Sequence, residues 1–402
     1  MKIAVLGYGT IGSGVVEVVE KNAASIEKRA GEKIEVKYVL DLREFPGDPV
    51  QDILVHDYSV IAEDEEIGVI VETMGGTKPA YDFVKTALLN GKSVCTSNKE
   101  LVAAHGAELI QIAEDKQVNF FFEASVGGGI PIIRPLNQCI TADEIEQING
   151  ILNGTTNFIL SKMADEGADF EDVLKEAQQL GYAEKDPTAD VEGYDACRKI
   201  AILTSLAYGK QVDYEDIYTE GITKITASDF KYAKQAGLAI KIFGMSKKVG
   251  SSVYAMVAPQ MIGSGHPLYS VNGVFNGISV KGNMLGDVMF YGAGAGKLPT
   301  ASAVVADVVA AVKHQGDHVP ITWSSEKLEI SSVEEMETRF FVRVDESEKQ
   351  KIQDVFGEVQ MIDAGVDGEC GFITSGMKEK EFAKKAEAFA QLITRIRVMG
   401  DE

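Results

Sequence analysis

The chain has 402 residues, of which 45% are hydrophobic and 25% charged, the composition of an ordinary globular protein with two or three domains. Its formal net charge of -22 would repel nucleic acid and anionic membrane surfaces, so neither is an expected partner. No apolar run approaches the roughly 18 residues of a membrane span. The four cysteines form no CxxC pair, so we expect a cytoplasmic protein with free thiols.

The first 41 residues carry a glycine motif in a strand–helix setting. Lys2–Leu6 is a predicted strand, a helix follows over Ile11–Arg29, and Glu35–Leu40 is a second strand. Between the first strand and the helix stands GxGxxG, from Gly7 to Gly12. In such a unit the first glycine permits the tight turn, the second lets the backbone approach a pyrophosphate, and the third lets helix pack on strand. The motif predicts a dinucleotide site; the alternative is a tight turn without a ligand.

Alternating strands and helices continue to about residue 124. The predicted strands are Val69–Met74, Ser93–Thr96 and Val118–Ala124, and the helices are Pro79–Asn90 and Lys99–Lys116. This alternation is typical of a Rossmann-type, doubly wound parallel sheet, whose ligands collect at the carboxyl ends of the strands.

The middle of the chain has a different pattern. The predicted helices are Thr155–Glu166, Asp169–Leu180 and Asp190–Tyr208, and the predicted strands or hairpins are Glu146–Leu152, Leu238–Lys247, Ser252–Met261 and Tyr269–Leu285. Hairpins beside helices indicate an α+β catalytic domain with an open antiparallel sheet. A second subunit would cover that sheet, so we expect a homodimer, or a homotetramer built from dimers.

The C-terminal part predicts a small βαββα domain. Its predicted elements are Arg339–Val344, a helix near Lys349–Phe356, Val359–Ile362, Gly371–Thr374 and a helix over Glu379–Val398. We therefore expect three domains: residues 1–130, completed by about 297–320; a catalytic and dimerisation domain, 131–296; and a C-terminal domain, 327–402.

Residues 181–199 crowd carboxylates and basic side chains around a helix start. Asp195 and Lys199 are four residues apart, so they share one face of a helix. The stretch after Lys199 is strongly apolar, which places this lysine at the edge of a buried helix. Such a lysine is a candidate proton carrier beside a hydride-transferring cofactor. The plainer interpretation is a structural i,i+4 ion pair.

Several motifs together resemble the homoserine dehydrogenase family from residue 1 to about 315. They are Gly7–Gly14, Thr96-Ser97-Asn98-Lys99, Glu123–Pro131, Asn153-Gly154-Thr155-Thr156-Asn157, Gly181–Lys199 and Gly292–Thr300. The Asn-Gly-Thr-Thr-Asn motif followed by Gly-Tyr-Ala-Glu is far more specific than GxGxxG. The resemblance implies interconversion of homoserine and aspartate 4-semialdehyde with NAD or NADP, on the route to threonine and methionine.

The resemblance also implies roles for individual residues. Lys199, with Lys99, would be catalytic. The small-molecule substrate, whose ammonium needs carboxylates, would bind at Gly181, Glu184 and Asp195. The cofactor would bind at Gly7, Gly9, Thr10, Ile11, Gly12, Asp41, Arg43, Thr96, Lys99, Glu184 and Gly296.

A glycine-rich loop after the third buried strand is a candidate ion site. One carboxylate, Glu123, precedes three consecutive glycines that free the backbone to turn its carbonyls inward, and hard oxygens suit a weakly bound cation. The resemblance implies a monovalent ion, usually sodium, held by Glu123, Val126, Gly128 and Ile130. The alternative is a loop whose carbonyls meet water or another domain.

Two points stay open in the sequence. Asp41 favours the ribose hydroxyl of NAD, whereas Arg43 would accommodate the 2′-phosphate of NADP, so either cofactor is expected to work. The C-terminal domain is where relatives carry a threonine-sensing ACT domain, but Asp345-Glu346-Ser347-Glu348 replaces the usual Asp-x-Pro-Gly turn. We expect a divergent, ACT-like domain kept for assembly.

Two other function classes compete with this interpretation. Aspartate-semialdehyde dehydrogenase needs a nucleophilic cysteine with a base, and neither Cys95 nor Cys139 has such a setting. A sensor that binds NAD(P) without turnover would tolerate loss of Lys199.

Overall fold

A computed structural model describes residues 1–400. The strands are β1 (Lys2–Leu6), β2 (Glu35–Leu40), β3 (Leu54–Val55), β4 (Ile67–Glu72), β5 (Ser93–Thr96), β6 (Phe120–Phe121), β7 (Ile145–Ile151), β8 (Lys210–Gln211), β9 (Tyr218–Thr219), β10 (Leu238–Val249), β11 (Ser252–Gly263), β12 (Phe275–Gly282), β13 (Gly286–Ala293), β14 (Ser324–Lys327), β15 (Glu337–Asp345), β16 (Val359–Ile362), β17 (Glu369–Thr374), β18 (Met377–Lys378) and β19 (Leu392–Val398).

The helices are α1 (Thr10–Lys21), α2 (Ala23–Ala30), α3 (Ser59–Ala62), α4 (Ala80–Leu89), α5 (Lys99–Lys116), α6 (Gly154–Glu166), α7 (Phe170–Gln179), α8 (Thr188–Val191), α9 (Tyr194–Tyr208), α10 (Ala227–Gln235), α11 (Lys297–Lys313), α12 (Ile352–Phe356) and α13 (Glu379–Ala386). None of these helices is both long enough and apolar enough to cross a membrane.

The chain divides into two compact units. Unit 1 is Met1–Asp143, Ala201–Tyr214 and Phe290–Leu328; unit 2 is Glu144–Ile200, Glu215–Met289 and the residues from Glu329 onward. The predicted three-domain boundaries stay a prediction.

Unit 1 contains a six-stranded sheet in the order β3-β2-β1-β4-β5-β6, and all its pairs are parallel. This is the strand order of a doubly wound dinucleotide-binding fold, with its switch point between β1 and β4. The central strands β1, β4 and β5 are almost wholly buried on both faces, as a sheet covered by helices requires. The predicted Rossmann-type sheet is confirmed.

Unit 2 is built on a mixed sheet in the order β13-β12-β7-β10-β11-β19-β15-β17-β16. The long hairpin of β10 and β11 pairs over twelve residues. β19 joins the two halves of the sheet, because it pairs parallel with β11 and antiparallel with β15. The C-terminal strands therefore continue the sheet of the α+β part.

Four predicted elements differ in the structure. The helix predicted over Ile11–Arg29 is broken at Asn22, and the strand predicted over Val118–Ala124 is only two residues long. The helix predicted from Asp190 is interrupted at Gly193, whose φ of +84° a right-handed helix cannot adopt. The helix predicted over Glu379–Val398 was wrong beyond Ala386: the β-branched run of Leu392–Val398 is strand β19, and, with the two-residue β18, the C-terminal order is βαβββαβ.

Candidate active site

The glycine motif of unit 1 forms the turn between β1 and α1. Gly7 has φ +92° and its N–H donates to the Leu40 carbonyl at 2.8 Å, and a Cβ on Gly12 would lie 1.9 Å from the Gly7 oxygen. Both glycines are therefore required by the fold. A Cβ on Gly9 would meet no protein atom within 4 Å in the part of the chain described. Its side of the loop is open to a ligand, which fits the close approach of a pyrophosphate.

Two helices begin side by side near this turn. Gly9 is the N-cap of α1, and Gly296 with φ +120° is the N-cap of α11. A Cβ on Gly14, one turn into α1, would lie 2.9 Å from the Lys297 oxygen at the start of α11. Glycine caps offer no side chain to the first N–H groups, and neither first turn contains an acid. The N–H groups of Thr10 and Ile11, with the dipoles of both helices, suit an anionic ligand.

Asp41 and Arg43 form one pair after β2. Arg43 contacts both Asp41 oxygens, through Nε at 3.0 Å and Nη2 at 2.9 Å, and Asp41 Oδ2 accepts from the Tyr8 N–H at 2.8 Å. The guanidinium holds the pKa of Asp41 well below its usual range. Asp41 therefore stabilises the glycine turn itself, while the Arg43 side chain is 61% exposed.

Thr96 ends β5 with its side chain turned into the protein. Its hydroxyl donates to Glu72 Oε2 at 2.6 Å and accepts from the Asn98 N–H at 2.9 Å. A cofactor would therefore meet the Thr96 backbone and not its hydroxyl. Asn98 caps α5 through the Leu101 N–H, which sets Lys99 at the first position of that helix.

Sequence reasoning missed Glu72, at the carboxyl end of β4. It is fully buried and also accepts from the Met74 N–H at 2.7 Å, and burial raises the pKa of Glu72. The carboxylate ties the ends of two neighbouring strands at the ligand edge of the sheet. A buried acid that ends an apolar strand was the available signal.

The Glu123 carboxylate is occupied by backbone donors. Oε1 accepts from Ile132 and Ile133 at 2.6 and 2.8 Å, and Oε2 accepts from Arg134 at 2.8 Å. A carboxylate has about four acceptor sites, so one remains at Oε2. Three backbone carbonyls were predicted as ion ligands, those of Val126, Gly128 and Ile130. None of them accepts a hydrogen bond from the described residues. No cluster of three or more His, Cys, Asp or Glu that could hold a metal occurs within residues 1–400, so an ion here would depend on these carbonyls.

The predicted pair of Asp195 and Lys199 is present at the start of α9, in unit 2. Lys199 Nζ donates to Asp195 Oδ2 at 2.6 Å and to the Leu152 carbonyl at 2.8 Å. The lysine side chain is 12% exposed and that of Asp195 is 7% exposed. An ammonium has three N–H donors, so two are used within the described chain and the third can meet a substrate oxygen.

Asn153 brings a further carboxylate to this pair. Its Nδ2 donates to Asp190 Oδ1 at 2.7 Å and to Asp195 Oδ2 at 2.9 Å. The sequence motif contained Asn153, and Asp190 was the predicted start of a helix, but neither residue was predicted to belong to the site. The only signal for Asn153 was its position before a helix, where asparagine is a preferred N-cap.

Gly181 and Glu184 do not join this network. Gly181 ends α7 with φ +77°, and its N–H donates to the Gln178 carbonyl at 3.1 Å, so only its carbonyl is available to a substrate. The Glu184 side chain is exposed, and its carboxylate makes no hydrogen bond or ion pair with any described residue.

Comparisons with known proteins decide the family. Residues 131–309 match the model of homoserine dehydrogenase, and residues 7–123 match the homoserine dehydrogenase NAD-binding domain. The chain belongs to the homoserine dehydrogenase family. It is an oxidoreductase acting on the CH–OH group of homoserine, in amino-acid biosynthesis.

Individual relatives agree along most of the chain. Homoserine dehydrogenase from Neisseria gonorrhoeae is 44% identical over 77% of this chain and 72% of its own. The crystal structure of a homoserine dehydrogenase from Thiobacillus denitrificans has a TM-score of 0.90 at 37% identity and covers 99% of this chain and 98% of its own. A hyperthermophilic archaeal homoserine dehydrogenase in complex with NADPH has a TM-score of 0.66 at 28% identity and covers 77% and 97%.

Proposed function

We propose that Lys199 moves the proton in the homoserine dehydrogenase reaction of this chain. The observation that carries the proposal is its geometry: two N–H groups are fixed by Leu152 and Asp195, and the third is left for the substrate. In the reducing direction the bound NAD(P)H supplies a hydride to the aldehyde carbon. Lys199 gives a proton to the aldehyde oxygen, and the alcohol of homoserine results. Asp195 keeps the amine oriented while its charge changes.

The carboxylates around this lysine suit the substrate's ammonium. The exposed Glu184 is the acid with no partner of its own among the described residues, so it can meet a cation without losing a bond. Asp195 already accepts two bonds at Oδ2, so its main contribution is to hold Lys199. Lys99, at the start of α5, is a second cation for substrate or cofactor.

The cofactor site accepts NAD or NADP. The open side of Gly9 and the two helix starts support a pyrophosphate, whichever cofactor binds. The exposed Arg43 supports a 2′-phosphate, and NADPH is the cofactor bound in the archaeal relative. A sodium ion at Glu123 and the neighbouring carbonyls would stabilise the loop and take no part in proton transfer.

A homodimer is the proposed assembly. Side-chain polar atoms in the sheet of unit 2 are buried without a hydrogen-bond partner in the described chain, on Asn149, Ser246, Gln260 and Asn276. A second copy over this sheet would supply partners for such atoms. Analytical ultracentrifugation checks this, and a monomer at micromolar concentration would contradict it.

The decisive experiment replaces Lys199 by alanine. Turnover of aspartate 4-semialdehyde with NADPH and with NADH is expected to fall at least about 100-fold, within the range for a general acid. NADPH binding is expected to be unchanged, because the glycine motif lies elsewhere in the chain. Lys162→Ala, which removes the ion pairs of Lys162 on α6 with Glu166 and Glu176, is the matched control. Full activity of Lys199→Ala would refute the proposal, and cofactor binding without turnover by the unmodified chain would favour a sensor.

A further inference from the structure

The orientation of the Asn153 amide is fixed by the helix that it caps. Asn153 follows β7 and is 7% exposed. Its Oδ1 accepts from the Thr156 N–H at 2.9 Å and lies 3.1 Å from the Thr156 hydroxyl. A backbone N–H can only donate, so the oxygen must face α6 and the NH2 group must face away from it.

The two hydrogens of this NH2 group are divided between two acids. One points to Asp190 on α8 and the other to Asp195 on α9, at 2.7 and 2.9 Å. Two carboxylates brought together repel each other in partly buried surroundings. A neutral double donor between them lowers that cost and fixes the distance between the two helices that carry them.

The end of β7, where Asn153 lies, also fixes the position of Lys199. Lys199 donates to the carbonyl of Leu152, the residue before Asn153, and to the Asp195 oxygen that Asn153 contacts. The strand end at residues 152–153 therefore sets the lysine directly through a carbonyl and indirectly through Asp195.

We propose that Asn153 is a positioning residue for the reaction, which holds Asp195 and Lys199 in place and fixes their spacing to Asp190. This inference rests on the proposed function of Lys199. Asn153 itself moves no proton and contacts the site only through the two acids.

Two substitutions separate positioning from helix capping. Serine and aspartate are both good N-caps, so α6 keeps its cap in either variant. Asn153→Ser removes both donated bonds, and Asn153→Asp replaces the double donor with a third negative charge. Asn157→Ser is the matched control, because Asn157 lies one turn further along α6 and donates only to the carbonyls of Val271 and Phe275.

The readouts are kcat and KM for homoserine across pH, NADPH affinity and melting temperature. We expect kcat/KM to fall about 10- to 100-fold in Asn153→Ser and further in Asn153→Asp, the scale of a misplaced catalytic group. The acid limb of the pH profile should move to higher pH, because acids that lose a donor or gain a negative neighbour ionise less readily. NADPH affinity should not change, and Asn157→Ser should keep the original pH profile.

A lower melting temperature with an unchanged pH profile in both Asn153 variants would overturn the proposal, since Asn153 would then be a cap alone. If Asn153→Ser fails to fold, Asn153→Asp decides, because it has the same shape and the same capping oxygen. An active Lys199→Ala would instead refute the proposed function itself, so the two failures are distinguishable.

Discussion

At the scale of single residues, Glu184 is an exposed acid of the 181–199 segment whose carboxylate no described residue contacts. We expect Glu184→Gln to raise the KM for homoserine about 10-fold and to leave kcat nearly unchanged, because it removes charge that binds the ammonium in ground state and transition state alike. Steady-state kinetics check this. Asp186→Asn is the control, since Asp186 caps Thr188. An unchanged KM would remove Glu184 from the substrate site.

Arg43 gives a second prediction at this scale. Arg43→Ala should lower kcat/KM with NADPH about 10-fold or more and spare NADH, because the variant leaves Asp41 without its partner and puts bare negative charge near a 2′-phosphate. Both cofactors are measured beside Leu42→Ala, whose side chain is 90% exposed. Equal losses with both cofactors would mean that Arg43 only supports the glycine turn.

Sequence distance determined which site residues were predictable. Asp195 and Lys199 are one helical turn apart, so their contact followed from helix geometry. Asn153 lies 37 residues from Asp190 and 42 from Asp195. No local pattern encodes such contacts, because they depend on how β7, α8 and α9 pack.

At the scale of elements, repeated β–α alternation predicted the parallel sheet, whereas short elements near glycines were misjudged. The break before α9 was missed because it depends on tertiary packing: a Cβ on Gly193 would lie 3.0 Å from the Val257 side chain, and no helical period records this. β19 was taken for a helix because Glu379–Ala386 has the helical pattern and the strand follows within a few residues. Its β-branched residues and its pairing with β11 and β15 both favour the strand.

The buried Lys241 on β10 makes stability depend on pH. Its Nζ donates to the Val271 carbonyl and to Asn272 Oδ1, both at 2.6 Å, and burial lowers the pKa of Lys241 to about 8. An unfolded lysine titrates near 10.4. Between about pH 8 and 10 the unfolded chain therefore binds more protons than the folded one, and this lysine's contribution to stability rises with pH.

Comparison with Lys241→Met tests this linkage. The free energy of unfolding of the unmodified chain, relative to the variant, should increase by roughly 1–3 kcal/mol from pH 7.5 to 10. Below pH 8 the cost of burying the charged lysine is fully present, so the difference should be constant there. Denaturant titrations at four pH values measure it, with the exposed Lys231→Met as control. Parallel pH curves for Lys241→Met and the unmodified chain would contradict the prediction.

At the scale of the whole molecule, the strands of the C-terminal βαβββαβ segment and those of the α+β part join in one sheet in unit 2. Arg397 on β19 is 1% exposed and contacts Glu379 at 2.6 Å and Glu220 at 3.0 Å. Two residues after Glu220, the Ile222 N–H donates to the Val191 carbonyl at the end of α8. Removing residues after Leu328 would leave β11 as an exposed edge, so truncation is a poor test of regulation, and a threonine titration of the full chain is the better one.

Arg397→Ala should destabilise unit 2 by about 3 kcal/mol, because it removes the buried partner of Glu379 and Glu220 and leaves these carboxylates the more exposed Arg395. Circular dichroism reports the change. The single tryptophan, Trp323, lies in unit 1 and donates to Gln211 Oε1 at 3.0 Å, so its fluorescence follows that unit separately. The expected result is a lower unfolding midpoint by circular dichroism, and Trp323 fluorescence shows whether unit 1 unfolds at that midpoint or at its own.

Arg395→Ala, at a more exposed position on the same strand, should lower the free energy of unfolding by less. An unchanged circular dichroism midpoint in Arg397→Ala would mean that strand pairing alone joins the C-terminal segment to the sheet.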